Sequence, residues 1–242
     1  MASQSSNTKL VNRIVERIDA KIAAGEYEPG VRLRQESLAD EFKVSRTPIR
    51  EALRLLEAKG AVLQAPHHSA VIRLPSTREI RETYQVRSEL EGLAAQLAAQ
   101  WISDNQLDDL RAVHDKFVHS VKELNARTAV KRNGRDILRS SNAWTDTNGE
   151  FHALIQSASN NLRLRQAIND LYAGFIRTVI YSSARTMDAH RMQRNIEDHE
   201  KILRALEARD AAQARKAMEG HIHESGTFVI AWRENNFAAD VT

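Results

Sequence analysis

The sequence contains no cysteine. Disulfides and thiolate metal sites are therefore excluded, and a reducing compartment is the expected setting. Long apolar runs are missing too: none approaches the length needed to span a bilayer. The polar opening MASQSSNTKL lacks the apolar segment of an export signal. The expectation is a cytoplasmic protein with no membrane partner. Few segments alternate at the two-residue period of strands, and no internal repeat or low-complexity tract is evident. What is present is a chain of 242 residues, 42% hydrophobic and 28% charged, long enough for two modest domains.

The net charge of +3 is unevenly placed. Residues 1–74 hold twelve Lys or Arg against nine Asp or Glu, which accounts for the whole excess, and the remainder balances to zero. A polyanionic partner would bind that first third.

Helical periodicity dominates. Leu10, Val11, Ile14, Ile18 and Ile22 recur at three- and four-residue steps, and the turn GEYEPG follows at Gly25. A short helix with Leu38, Ala39 and Phe42 inward comes next. Ser45 then stands at an N-cap position, and Pro48 falls in the first turn of a third helix, where its missing N–H costs nothing. Beyond Gly60, AVLQ and AVIRL flank APHHS and predict a two-stranded hairpin with a polar tip, closed by Pro75 and Ser76. Helices are expected at roughly 77–101, 104–124, 136–158, 161–183, 188–208 and 210–235, with caps at Ser103–Asp104 and Asn160–Asn161. The basic stretch NARTAVKRNGR is the one long loop.

On the third helix, Ile49, Ala52, Leu53 and Leu56 share one arc, while Arg46, Arg50 and Arg54 share the next, with Thr47 beyond them. Arginines and a threonine at an exposed helix N-terminus suit phosphates and base edges. A solvated basic face is the plainer alternative. Three short helices followed by a hairpin make a winged helix-turn-helix arrangement, in which the third helix enters the major groove.

The text LRQESLADEFKVSRTPIREALRLLEAKGAV, followed by APHHSAVI, resembles the DNA-binding domain of GntR-family transcriptional regulators. By position, the resemblance implies DNA contacts from Ser45, Arg46, Thr47 and Arg50, with His67 and His68 at the wing tip. Two positions depart from the family's pattern. Glu36 stands where many members have a phosphate-gripping arginine, with Arg34 nearby to compensate, and Ser69 stands where a wing glycine is common.

The second part of the chain places histidines on apolar faces. His221 lies among Ala214, Ala217, Met218, Ser225, Phe228 and Trp232, whereas His223 points away. His199 lies among Met192, Ile196, Leu203 and Leu206. His152 flanks the face made by Trp144, Asn148, Phe151 and Ile155. Any one of them reads as a core histidine satisfied by a hydrogen bond. Three converging on one interior favour a shared metal ion held by neutral imidazoles.

The segments YQVRSELEGLAAQLA, NGEFHALIQSASNN and EDHEKILRALEARDAAQARKAMEGHI resemble the FCD effector domain that the FadR subfamily of GntR regulators carries. The resemblance implies a divalent transition metal, zinc or nickel, at Asn148, His152, His199 and His221. Asn148 replaces the family's aspartate. Arg87, in the family's R-x-x-L-E stretch with Tyr84 and Glu91, suits a carboxylate ligand through a bidentate pair. An Arg87–Glu91 pair that only fixes packing is the alternative.

The sequence thus predicts a mostly α protein. Residues 1–75 form a winged helix-turn-helix, and residues 76–242 an all-α antiparallel bundle for effector binding and dimerisation. The expected function is a sequence-specific regulator, most simply a repressor, that binds double-stranded DNA at a palindromic operator as a homodimer. A small organic acid would control it. The competing class is a metal-dependent hydrolase using the His152, His199 and His221 cluster. The sequence offers no convincing general base for it, since Glu150 points off the metal face.

Overall fold

A computed structural model describes residues 2–23, 26–129, 134–172 and 177–237. Its chain divides into two compact units. One comprises residues 1–75 with 172–182, the other residues 76–171 with 183–242.

In the first unit, helix α1 (Ala2–Ala23) buries Val11, Ile14, Ile18 and Ile22. Strand β1 (Arg32–Arg34), helix α2 (Gln35–Phe42) and helix α3 (Arg46–Ala58) follow, then β2 (Val62–Ala65) and β3 (Ser69–Ile72). Leu38 and Phe42 of α2 join Ile49, Leu53 and Leu56 of α3 against α1 in a single apolar core. Helix α3 ends where Gly60 takes a left-handed conformation, φ 71°. The Ala61 N–H then bonds the Leu56 carbonyl, which satisfies a carbonyl that the helix leaves free.

The hairpin expected from sequence is one strand short. The sheet has three antiparallel strands in the order β1-β3-β2, with Arg32 opposite Val71 and Arg34 opposite Ser69. A three-residue strand has too few positions to show an alternating pattern, and only its partner β3 makes it a strand. Gly25, the expected stop of α1, lies outside the described residues.

In the second unit, helices α4 (Thr77–Trp101), α5 (Asp104–Ala129), α6 (Gly134–Ala158), α7 (Leu162–Leu171), α9 (Ala189–Glu207) and α10 (Ala211–Asn236) pack around a common interior; helix α8 (Arg177–Ala184) straddles the division. The one helix expected over 161–183 is described as α7 and α8, with residues 173–176 outside the described residues. The expected basic loop is shortened by α5 and α6, and residues 130–133 between them are likewise outside.

Helix starts are well specified. Ser76 and Glu79 form a reciprocal capping box on α4, and Ser103 and Gln106 repeat the arrangement on α5. Asn161 Oδ1 accepts from the Leu164 N–H, and Asp188 and Asp210 cap α9 and α10. Along α10 the buried arc runs through Met218, Ile222, Gly226 and Val229. It is turned by about one residue from the arc expected through Ala217, Ser225 and Phe228. His221 is buried in either phase, and His223 is exposed.

Candidate nucleic-acid interface and metal centre

Helix α3 separates its two faces as its sequence requires. Ile49, Ala52, Leu53 and Leu56 are fully buried, whereas Arg46, Thr47, Arg50 and Arg54 are exposed. Ser45 occupies the N-cap position, but its side chain makes no capping hydrogen bond. The exposed hydroxyl beside Arg46 therefore does no work for the helix.

At the wing tip, His67 and His68 have φ of 61° and 53°. Two successive left-handed residues allow the tight reversal between β2 and β3, in a conformation that glycine adopts at lower cost. Both imidazoles are exposed. Ser69 is buried and donates to the Pro66 carbonyl at 2.7 Å, closing the turn from inside. The His68 carbonyl accepts from the Gln35 N–H at 3.0 Å, which ties the wing to the start of α2. Arg34 and Glu36 are both exposed at that start. Between α3 and the wing lies an open groove of about 370 Å³, lined by Gln35, Arg50, Arg54, Glu57, Gln64 and His68.

In the second unit, α6, α9 and α10 bring His152, His199 and His221 together. One ring nitrogen from each lies within 4.8 Å of the others, and all three residues are buried. The His199 ring lies between two phenylalanines, its centroid 4.1 Å from Phe151 and 4.5 Å from Phe117. Neither of its nitrogens has a hydrogen-bond partner. His152 Nε2 and His221 Nδ1 are also buried without partners. Orphaned buried nitrogens of this kind are costly unless something binds them. Burial, helped by His221 and His152, holds the His199 pKa well below the usual imidazole value. Burial likewise pushes His221 down to about 4, against the pull of Asp198. At 3.7 Å, Asp198 Oδ2 attracts His221 Nδ1 without bonding it.

His152 is positioned from α4. Its Nδ1 lies 2.6 Å from Glu91 Oε2, and the other Glu91 oxygen accepts from Arg87 Nε and Nη2 at 3.1 and 2.9 Å. A carboxylate can only accept, so Nδ1 carries the proton and Nε2 faces the cluster as a lone pair. Burial alone would raise the Glu91 pKa, yet His152 and Arg87 outweigh it and hold this group well below the usual carboxylate range. The Arg87 guanidinium also lies 4.6 Å over the Tyr84 ring. Arg87, Tyr84 and Glu91 are all buried, and the helix pair left open by the sequence is the arrangement adopted. Asn148 is half-buried one turn before His152.

Sequence reasoning missed several polar members of this interior. Arg191, Asn195 and Asp198 are buried on α9, and each keeps an unpartnered atom: Nε, Oδ1 and Oδ2 respectively. The four-residue spacing of Arg191 and Asn195 with His199 was the available signal; Asp198, next to His199, had none. His114 of α5 is buried too, 6.2 Å from the His199 ring.

A winged helix-turn-helix with an exposed basic third helix, joined to a helical unit with a polar interior, defines a class: DNA-binding transcriptional regulators with a second, helical domain. Residues 10–72 match the bacterial regulatory proteins of the gntR family, and residues 82–224 match the FCD domain. The chain belongs to the gntR family and carries an FCD domain as its second unit. It is 27% identical to the uncharacterized HTH-type transcriptional regulator YdhC of Bacillus subtilis, over 82% of this chain and 81% of that one. It is 26% identical to the HTH-type transcriptional repressor RspR of Escherichia coli, over 97% and 95%. The solved structure of McbR/YncC from E. coli shares the fold with a TM-score of 0.73 at 22% identity, covering 94% of this chain and 99% of that one. The protein is a DNA-binding transcriptional regulator and not an enzyme. The hydrolase alternative finds no support among these relatives. Among the described residues, no helix is long and apolar enough to cross a membrane.

Proposed function

We propose that this protein is a metabolite-responsive repressor of the FadR subfamily, working in the cytoplasm as a homodimer on a palindromic operator. Residues 1–75 read the DNA, and residues 76–242 bind the effector and dimerise. Arg46, Thr47 and Arg50, with Ser45, face base edges and phosphates in the major groove. Arg34, His67 and His68 hold the flanking backbone.

The observation that carries the sensing role is the convergence of three buried imidazoles, each with an unpartnered ring nitrogen. They fit a divalent transition metal, zinc or nickel, with Asn148 at the edge of the set as a neutral carbonyl donor. Three nitrogens around such an ion stand about 3.4 Å apart, so side-chain shifts of about an ångström would close the site. When bound, the ion offers an open position to a carboxylate oxygen of a small organic acid. The chain's own groups do the rest. Burial keeps His199 and His221 neutral, and Glu91 fixes the tautomer of His152. Arg87 neutralises Glu91, with Tyr84 beneath it. On this reading the three α4 residues serve the effector through His152. An effector that prefers one domain arrangement over another then shifts operator affinity by that preference.

Metal content of the purified protein, measured by native mass spectrometry, tests the reading. His199→Ala and His221→Ala are expected to lose the ion, and His223→Ala to retain it. Glu91→Gln should weaken metal affinity by about 10–100-fold, the usual cost of losing a carboxylate behind a histidine ligand. Equal metal loss in all three histidine variants, or no ion in wild type, would sink the metal centre.

A further inference from the structure

Imidazoles ligate a metal ion as neutral groups, and Asn148, one turn before His152, is an uncharged amide. A divalent ion among them would keep both of its charges in a buried setting. That is costly unless an anion stands close by.

Among the described residues, the only buried acids are Glu91 and Asp198. Glu91 stands behind His152, and its other oxygen takes both bonds from the buried Arg87, which neutralises its charge. Asp198 is differently placed. Its Oδ1 accepts from Lys201 Nζ at 2.8 Å, but the lysine side chain is 65% exposed and water screens the pair. Arg191 lies close enough to feel Asp198, yet its Nη atoms are taken by Glu224 and Ser225.

The second oxygen of Asp198 is free. Oδ2 is buried without a hydrogen-bond partner, 3.7 Å from His221 Nδ1, which is buried and unpartnered too. A charge-assisted N–H···O bond is about 2.8 Å long, so a movement of about 1 Å would join these two orphaned atoms. Asp198 does not belong to the group whose ligand atoms lie within 4.8 Å of one another. It therefore backs His221 as Glu91 backs His152. With Nδ1 turned to the carboxylate, Nε2 is the nitrogen left for an ion. An ion there draws charge from the ring, makes the Nδ1–H a stronger donor and pulls the contact shut.

We propose that Asp198 is the positioning residue for His221, and that its carboxylate offsets the charge of an ion whose own ligands are neutral. This inference rests on the metal centre proposed above. It assigns Asp198 no place among the atoms bound to the ion.

The test measures zinc affinity of the full chain by competition with a chromophoric chelator, and the visible bands of the cobalt-loaded protein. Asp198→Asn keeps the side chain's shape, and circular dichroism checks its fold. It should weaken zinc by about 10–100-fold and leave the cobalt bands in place. Asn148→Asp supplies a charge at the edge of the centre, so it should tighten zinc more in the Asp198→Asn background than in wild type. Lys201→Ala, at an exposed position where folding is not at risk, frees the carboxylate and should tighten zinc by about two- to fivefold. Unchanged zinc affinity in Asp198→Asn or in Lys201→Ala would overturn the proposal. So would cobalt bands that shift in Asp198→Asn as for a lost ligand, or equal gains from Asn148→Asp in the two backgrounds. A wild type that cannot hold zinc removes the metal centre and this inference together. Wild type that holds zinc no better than Asp198→Asn removes only the role of Asp198.

Discussion

Arg46 and Arg50 carry no ion pair in the described structure that would hold them away from DNA, and both stand exposed at the start of α3 beside Thr47. Arg46→Ala and Arg50→Ala should each cost about 1–3 kcal/mol of operator binding where the side chain reads a base edge, and less where it touches phosphate alone. A mobility-shift titration in which the double variant binds like wild type would remove α3 as the reading helix. Arg87 shows the opposite case. Its spacing to Glu91 was legible, and the structure adds that the pair is buried and bonded at 2.9 Å.

Among the elements, α4 and α10 depend on each other at a position that carries no side chain. A Cβ built on Gly226 would lie 2.9 Å from three atoms of Tyr84, closer than real contacts allow. Gly226→Ala must therefore displace the ring that underlies Arg87, and should cost about 1–3 kcal/mol in denaturant unfolding. Gly220, on the same helix, has nothing within 4 Å of such a Cβ. Gly220→Ala should instead stabilise by about 0.5–1 kcal/mol, because alanine loses less freedom in a helix. Equal effects from the two substitutions would show that α4 and α10 do not approach as described. Strand β1 makes a related point: its three residues are paired by β3, and no local pattern announces them.

At the scale of the whole molecule, the proposed dimer sets its two recognition helices one duplex turn apart, or a multiple of that. Inserting about half a helical turn, ~5 base pairs, between operator half-sites should abolish cooperative binding, and a full-turn insertion should hurt less. Affinity should fall steeply with salt, with a slope set by the number of phosphates contacted. A spacing-independent affinity in these titrations would mean that each copy binds alone.

The sequence by itself determined the phase of most helices, though not of α10, and the winged helix-turn-helix class of the first unit. The arginine stripe on α3, the histidine faces on α6 and α9, and the caps at Ser103 and Asn161 are local patterns written within a few turns of chain. What only the tertiary structure decided is which groups from distant segments meet. Glu91 and His152 are 61 positions apart and hydrogen-bond at 2.6 Å. Arg191 finds Ser225 on another helix, and Gly226 matters only because Tyr84 lies against it. Periodicity reports which side of a helix faces inward, but hydrogen bonds, orphaned atoms and close contacts exist only between helices, so their partners become readable once the chain has packed.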